Sequence, residues 1–179
     1  KSSLFSARIE GNPLTLDDVG TKSSTDQKKK EVFNILKALQ FVHERGFRDV
    51  TVSMVMQLHV KTMDELINKG NLGKFRREVS AIFNTAGIAI YMPPPPSQIN
   101  YLMERLVKVA NSDKEQFIPI RAALTHYTFE KIDPFLDGNG RVGRLLFQAV
   151  LQKGGYGMKQ LISTEEYLDN HRSRYYASL

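Results

Sequence analysis

Apolar residues recur three and four positions apart along most of this chain, which is the spacing of amphipathic helices. In the first half, this pattern predicts a helix of about 14 residues beginning at Glu31. It also predicts a second helix that begins after Asp49 or Thr51 as N-cap and ends within Gly70 to Gly73.

The second half of the chain continues the helical pattern. One predicted helix has Ser97 as its N-cap, and two others cover residues 117–131 and 140–152. The helix after Ser97 should bury a stripe made of Leu102, Leu106 and Val109. A last helix begins at Ser163 or Thr164 and is predicted to continue to the C-terminus.

The helical spacing of apolar residues is interrupted between residues 74 and 92. β-favouring residues there flank Asn84-Thr85-Ala86-Gly87, which can form a turn, so we predict a small β-hairpin. Pro93-Pro94-Pro95-Pro96 then forces an extended segment. The pattern therefore predicts an all-α fold of about six to eight helices with one small hairpin.

Composition narrows the class of protein. The chain has 179 residues with 41% apolar residues, which suits one domain and excludes disordered and fibrous classes. It has neither an apolar run long enough to span a membrane nor a secretion signal. Since cysteine is absent as well, we expect a cytoplasmic location. Lys1 stands where a complete chain would have Met, so we expect a fragment of a longer protein.

The charge balance leaves two alternatives open. With 25 Lys and Arg against 19 Asp and Glu, the formal net charge is +6, which suits an anionic partner. An ordinary solvated basic surface, including Lys28 to Lys30, explains the same number equally well.

The segment Asp137-Gly138-Asn139-Gly140 lies between two predicted helices and has the chemistry of an anion site. Its glycines allow close approach of the backbone, and the following helix N-terminus presents unpaired N–H groups. Arg141 and Arg144 can direct guanidinium groups toward the same ligand, and Asp137 can bind Mg²⁺ together with phosphates. The alternative is a helix-capping turn followed by solvated arginines.

Residues 133–144 resemble the signature of the Fic family, His-Pro-Phe-x-Asp/Glu-Gly-Asn-Gly-Arg-x-x-Arg. Eight of its nine fixed positions match, and they are Pro134, Phe135, Asp137, Gly138, Asn139, Gly140, Arg141 and Arg144. Residues 73–96 resemble the family's flap, and residues 170–176 its closing helix. We therefore identify residues 1–179 as a single Fic domain.

This resemblance implies a helical domain that binds ATP with Mg²⁺ and transfers AMP to a Ser, Thr or Tyr hydroxyl of a target protein. Asp137 would hold the metal, Gly138, Asn139 and Gly140 the phosphates, and Arg141 and Arg144 the polyphosphate. Phe135 would anchor the loop in the core. The hairpin would dock the target as an added strand. Tyr175 and Tyr176 are either the adenine side of the site or core aromatics.

The family's first signature residue is a histidine that acts as general base, and this chain has Asp133 there. An unperturbed aspartate is a weaker base than imidazole, and losing a good base costs about 10²–10⁴ in rate. Three alternatives follow: a weak or altered transferase, a natural nucleotide-binding pseudoenzyme, and an introduced inactivating substitution. His126 lies too far upstream to replace the histidine, and we interpret it as a residue that either packs the helices or contacts the site residues from behind.

Residues 1–20 contain Ser6-Ala7-Arg8-Ile9-Glu10-Gly11, which resembles the family's inhibitory motif, Ser/Thr-x-x-x-Glu-Gly/Asn. By this resemblance Glu10 would pair with Arg144 and take the space of the ATP γ-phosphate. In some relatives the same glutamate helps to remove AMP from targets. The alternative is a short amphipathic helix that Gly11 ends.

The combined expectation is an autoinhibited protein adenylyltransferase, with a pseudoenzyme that acts by docking a partner as the alternative. We expect no nucleic-acid binding through this domain and no membrane partner, since the sequence contains no motif for either. A homodimer is compatible with the sequence.

Overall fold

The computed structural model describes residues 1–20, 26–44, 49–83, 86–157 and 163–179. Within these ranges the chain is mainly helical, as predicted. Its helices are α1 (Ser2–Ile9), α2 (Leu16–Val19), α3 (Gln27–Glu44), α4 (Val52–Met63), α5 (Pro96–Asn111), α6 (Ile118–Ile132), α7 (Asn139–Lys153), α8 (Thr164–Asn170) and α9 (Arg172–Ser178). Two short strands, β1 (Ile82–Phe83) and β2 (Ala89–Tyr91), complete the described elements together with one 3₁₀ turn at Lys69–Asn71.

Helix α7 lies at the centre of the bundle. It packs closely against α6 and also contacts α1, α3 and α4. Its buried residues outnumber those of the peripheral helices because it meets neighbours on several sides. The core around it includes the fully buried Ile35, Leu58, Met103, Phe129, Phe135 and Leu146. This arrangement places the first turn of α7, which carries the signature residues, in the interior of the molecule.

Two of the predicted helix starts are confirmed by their caps. The Thr51 hydroxyl accepts a hydrogen bond from Met54 N at 3.1 Å, and the Ser163 hydroxyl accepts one from Glu166 N at 3.2 Å. Each side chain satisfies a backbone donor that the first turn would leave unpaired. The prediction of Ser97 as a cap is wrong. Helix α5 begins two residues earlier, with extended Pro95 as N-cap and Pro96 in the first turn.

Three further details differ from the predictions. Helix α4 ends at Met63, before the expected glycines, because Asp64 leaves the helical conformation with ψ of 126°. Val109 is 52% exposed, since the buried face of α5 consists of Ile99, Met103, Leu106, Val107 and Ala110. The last helix is two helices, because the backbone bends at His171 between α8 and α9.

The predicted hairpin is present as an antiparallel pair of β1 and β2. Ile82 pairs with Tyr91 and Phe83 with Ala89, with an irregularity in register between the two pairs. Asn84 and Thr85 of the predicted turn lie outside the described residues. The Tyr91 hydroxyl donates to Lys131 O at 2.8 Å, which ties β2 to the end of α6.

The described residues contain nine α-helices against an expected six to eight. The difference comes from the division at His171 and from the single turn of α2, which the chain pattern does not distinguish from a loop. Among the described helices, none combines the length and apolar character needed to cross a membrane.

Candidate active site

The signature loop connects α6 to α7 through two residues with positive φ. Asp133 ends α6 in the left-handed conformation with φ of 48°, and Gly138 precedes α7 with φ of 86°. A side chain at Gly138 would also lie 2.6 Å from the Met63 sulfur. Position 138 therefore requires glycine both for its backbone conformation and for its packing.

Asn139 holds this loop closed. Its amide nitrogen donates to Asp133 Oδ1 at 2.6 Å and to Phe135 O at 2.8 Å, and its oxygen accepts from Phe135 N at 2.9 Å. Phe135 is fully buried and stacks on the His59 ring with a centroid distance of 3.9 Å. The expectation that Phe135 anchors the loop in the core is confirmed. Asn139 shapes the loop through its side chain, in addition to the backbone role expected for it.

A cavity of about 270 Å³ opens above the loop. Its lining brings together distant parts of the chain, namely Glu10, Ser80, Ile82, Glu130, Asp133, Leu136, Asp137, Gly138, Asn139, Gly140, Arg144, Tyr175, Tyr176 and Leu179. Most of the residues named from the sequence as site residues thus meet in one place. Arg141 and Ser6 are exceptions among the described residues, since neither lines the cavity.

Arg144 is 2% exposed and makes four polar contacts from α7. Its guanidinium donates to Glu10 Oε1 at 2.7 Å, to the Ser6 hydroxyl at 2.9 Å, to Ser6 O at 3.0 Å and to the Tyr175 hydroxyl at 3.4 Å. Burial alone would lower the pKa of Arg144, but the charge of Glu10 contributes to a net increase. Arg144 is therefore a permanent cation whose partners come from α1 and α9.

Arg141 lies one turn earlier and points elsewhere. Its guanidinium donates to Glu31 Oε1 of α3 at 2.6 Å and to Asp137 Oδ1 at 2.9 Å. The structure does not bring Arg141 to the cavity wall, where both arginines were expected, because these two carboxylates hold it; its contact with a phosphate stays a prediction. It links the loop to α3.

Asp133 lies at the cavity wall with its side chain 16% exposed. Besides the bond from Asn139, its carboxylate lies 3.9 Å from Arg76 Nε. Burial raises the pKa of Asp133, while a hydrogen bond from Ser80 and the charge of Arg76 act against the increase. A carboxylate with a raised pKa is a better proton acceptor than an exposed aspartate.

Asp137 is the most exposed acidic group of the loop, with its side chain 57% exposed. Its Oδ1 accepts from Gly138 N and from Arg141. No group of three or more His, Cys, Asp or Glu side chains able to hold a metal occurs among the residues that the structure describes. One accessible carboxylate fits Mg²⁺ only where phosphate oxygens and water supply the other ligands, which is the usual mode of that ion.

Comparison with known proteins assigns the family. The model of the Fic/DOC family matches residues 49–151, which is more than half of the chain. The chain belongs to the Fic/DOC family. It is 30% identical over 163 residues to protein adenylyltransferase Fic of Drosophila yakuba, a match that covers 84% of this chain and 32% of that protein. The chain thus spans about a third of the length of such relatives.

Solved structures agree with the Fic fold. A Fic family protein from Desulfovibrio desulfuricans G20 superposes with a TM-score of 0.84 at 25% identity, covering 98% of this chain and 54% of that one. Fic-1 from C. elegans superposes with a TM-score of 0.70 at 22% identity, covering 86% of this chain and 48% of that one, and supports the fold alone.

The two tyrosines of this Fic chain differ in their surroundings. Tyr175 is 6% exposed and its ring is stacked parallel to that of His126, whose Nε2 lies 2.8 Å from the Tyr175 hydroxyl. This burial agrees with the core-aromatic alternative for Tyr175. Tyr176 is 51% exposed and its hydroxyl donates to Ile9 O at 3.0 Å, at the end of α1. His126 is buried, as expected for a packing residue.

Sequence reasoning missed three residues that support the site. Arg76 is 5% exposed, and its guanidinium donates to Asp133 O at 2.7 Å and to Pro94 O at 2.7 Å. His59 bonds Gly73 N through Nδ1 at 2.9 Å and lies 3.1 Å from Asp137 O through Nε2. Glu31 holds Arg141. Arg76 could have been recognised from the sequence, because it belongs to the segment that resembles the flap. The other two look like ordinary helix residues.

Proposed function

We propose that this chain is the catalytic domain of a protein adenylyltransferase that transfers AMP from ATP to a hydroxyl of a target protein, and that Glu10 inhibits it. The ion pair between Glu10 and Arg144 carries the proposal. In this pair the Glu10 carboxylate lies in the same cavity as the signature loop, 2.7 Å from the arginine expected to bind phosphate, which supports an inhibitory role. A side chain at Gly140 would lie 2.5 Å from Glu10 Oε1, so the carboxylate lies directly against the proposed phosphate cradle.

The reaction assigns a role to each part of the loop. The target hydroxyl oxygen attacks the α-phosphorus of ATP, forming the new P–O bond, while the bond from the α-phosphorus to the oxygen that bridges it to the β-phosphorus breaks. Pyrophosphate leaves with the bonding electrons. Backbone N–H groups at the start of α7 and the guanidinium of Arg144 stabilise the negative charge of the phosphates. Arg141 keeps Asp137 and the loop in place.

Asp133 accepts the proton of the target hydroxyl in this scheme. A carboxylate performs the same step in protein kinases. The raised pKa of Asp133 favours proton transfer, but Asn139 and Arg76 restrain its carboxylate. We therefore propose weak activity relative to a histidine base.

Asp137 is the residue that would hold Mg²⁺ in this scheme. The ion supplies neutralisation of phosphate charge and orientation of the leaving group. The Asp137 side chain is exposed, so Mg²⁺ would be able to reach its carboxylate and compete with Arg141 for it.

The hairpin is proposed to dock the target by adding a strand at its edge. Ile88, Ile90 and Met92 are 62%, 63% and 67% exposed, respectively, so apolar side chains surround this edge. Ser80 and Ile82, at the start of the hairpin, line the cavity and would bring a bound segment close to Asp133.

Labelled ATP with Mg²⁺ tests the proposal on four proteins: this chain, Glu10→Gly, Asp133→His and the double variant. We expect weak self-labelling or target labelling by Glu10→Gly and labelling about 10²–10⁴ times faster by the double variant. Absence of labelling in all four, together with absence of ATP binding to Glu10→Gly in calorimetry, would overturn it.

The second candidate is a nucleotide-binding pseudoenzyme that docks a partner through the hairpin. The bond between Asn139 and Asp133 Oδ1 favours it, since it engages the carboxylate proposed as the base in holding the loop. Labelling by the double variant without labelling by Glu10→Gly, while Glu10→Gly binds ATP, would support this candidate.

A further inference from the structure

A line of four polar side chains lies along one wall of the cavity, and all of them except His126 line it. Glu130 and His126 come from α6, Tyr175 from α9 and Arg144 from α7. His126 Nε2 lies 2.8 Å from the Tyr175 hydroxyl, which in turn lies 3.4 Å from Arg144 Nη1. On the other side of the ring, His126 Nδ1 lies 3.6 Å from Glu130 Oε1. The proposed reaction assigns no step to Glu130 or His126.

Chemistry sets the direction of one hydrogen bond in this line. Arginine has donors and no acceptor, so the Tyr175 oxygen accepts from Arg144. The hydroxyl hydrogen of Tyr175 can then be donated to His126, which has a bare Nε2 in that arrangement. A neutral His126 in that arrangement carries its hydrogen on Nδ1, and that nitrogen faces Glu130.

Nδ1 of His126 and Oε1 of Glu130 face each other at 3.6 Å, which is too long for a hydrogen bond. Glu130 Oε1 and His126 Nδ1 are fully buried, and neither makes a hydrogen bond of good geometry among the described residues, although the Gly143 backbone acts on the His126 ring as a weaker partner. Gly143 of α7 makes room for them, because a Cβ there would lie 2.1 Å from Glu130 Oε1 and 2.8 Å from His126 Nδ1. A small closing movement from 3.6 Å would complete the hydrogen bond.

The charges that face the pair come from several elements. Burial raises the pKa of Glu130 to about 8, Arg144 of α7 opposes this, and Glu10 at the end of α1 and Asp133 at the end of α6 add to it. Burial and Arg144 lower the pKa of His126 to about 4. Tyr175 of α9 is buried and its pKa is raised, so it stays neutral. Near pH 7 the pair is therefore uncharged.

We propose that Glu130, His126 and Tyr175 are positioning residues for Arg144, and that the Tyr175 hydroxyl and the Glu130 carboxyl together keep the proton of His126 on Nδ1. The inference rests on the proposed function in one respect, namely that Arg144 binds nucleotide phosphate. Without this line, Arg144 would have only partners from α1, and these leave when the inhibitory contact opens. Tyr175 would then be the contact that keeps the guanidinium aimed into the cavity.

The first test is independent of nucleotide. Nitrogen-15 spectra of the histidine-labelled chain between pH 5 and 7 should show His126 neutral, with Nδ1 protonated and Nε2 bare. Tyr175→Phe should abolish this preference, and Tyr127→Phe, an exposed neighbour on α6, should preserve it. A protonated Nε2 in the unsubstituted chain would overturn the proposal.

The second test measures affinity for a non-hydrolysable ATP analogue with Mg²⁺ by calorimetry in the Glu10→Gly background. Tyr175→Phe and His126→Phe should each weaken binding by about fivefold, and the double variant by no more than the larger single effect, because both interrupt one line. Tyr127→Phe should bind unchanged. Additive losses, or unchanged binding by both variants, would overturn the positioning role.

Glu130 is tested by rescue and by pH. Glu130→Gln keeps an oxygen that can accept from His126 and should bind like the background, whereas Glu130→Leu should bind about fivefold more weakly. Affinity in the background should fall as Glu130 ionises at alkaline pH, and Glu130→Gln should remove that fall. Equal losses in the Gln and Leu variants would overturn the role of Glu130. Absence of nucleotide binding in the background itself would overturn the proposed function, and the spectra would still decide the positioning line.

Discussion

Arg141 and Arg144 lie on one turn of α7, but their partners come from different parts of the molecule. Arg141 is held by Glu31 of the long helix α3 and by Asp137 of the loop. Arg144 is held by Ser6 and Glu10 of α1, which has 8 residues, and by Tyr175. Both guanidinium groups are buried, at 8% and 2% exposure for the two residues.

The difference lies in how easily each partner can leave. Glu31 lies within α3, whose buried residues belong to the bundle core, so its carboxylate cannot withdraw without disturbing that core. Glu10 lies just beyond the last residue of α1, and its side chain is 30% exposed. The ion pair of Arg141 with Glu31 is therefore structural, whereas Arg144 can exchange Glu10 for another anion. Under the proposed function, one motif thus supplies both a fixed support and a phosphate ligand that the Glu10 carboxylate occupies.

The largest expected effect is on stability. Arg144→Ala should lower the free energy of unfolding by about 3 kcal/mol, because it removes a buried ion pair and leaves Ser6 O and Tyr175 without their donor. Arg141→Ala should cost about 1.5 kcal/mol, because Asp137 is exposed and can be solvated, and Glu31 keeps its hydrogen bond from Asn12. Urea denaturation measures both. A larger loss for Arg141→Ala would contradict the comparison.

The titratable groups around Arg144 should also make the free energy of unfolding depend on pH. Glu130 has a pKa near 4.5 when exposed and about 8 in the fold, so the stability associated with its neutral form is lost as pH rises toward 8. His126 acts in the opposite direction, since its contribution is lost as pH falls from 6.5 toward about 4. Between pH 6.5 and 8 the free energy of unfolding should fall by about 2 kcal/mol.

Urea denaturation at several pH values measures this fall. Glu130→Gln should remove it, and Glu104→Gln, an exposed substitution on α5, should leave it unchanged. A fall that persists in Glu130→Gln would show that another group is responsible.

Paired substitutions of the two carboxylates sharpen the functional side of the comparison. Glu10→Gln should tighten binding of an ATP analogue about tenfold, or about 1.4 kcal/mol, because it weakens the competitor for Arg144. Glu31→Gln should not tighten it, since Arg141 does not line the cavity. Calorimetry under identical salt conditions compares the two. Equal tightening by both would remove the distinction between a fixed and an exchangeable pair.

The smallest expected effect is at Ser6. Ser6→Ala removes the hydroxyl that accepts from Arg144 Nε and should tighten analogue binding about threefold by loosening α1. Ser3→Ala, one turn earlier on the same helix, is the matched control and should leave affinity unchanged. Weaker binding in Ser6→Ala would mean that Ser6 supports the binding-competent position of Arg144.

Much of the fold was predictable because local signals agree with it. The caps at Thr51 and Ser163, the proline run and the hairpin all follow from short-range preferences of the chain. The break at His171 was not predictable, because residues on both of its sides are compatible with helix. The exposed position of Val109 was not predicted either. A single row of apolar residues along a helix does not specify which of two adjacent faces is buried.

The sequence by itself determined the signature loop. The hydrogen bonds of Asn139 join residues within six positions of it, and Gly138 supplies the positive φ, so these residue types and their spacing specify the closed form of the loop. Only the tertiary structure decided the partners of Arg141 and Arg144. The carboxylates of Glu31 and Glu10 lie 110 and 134 positions away from them, and which carboxylate reaches which guanidinium depends on how α1 and α3 pack on α7. The burial of Glu130 beside His126 has the same origin, because desolvation is a property of the packed interior and not of the residue.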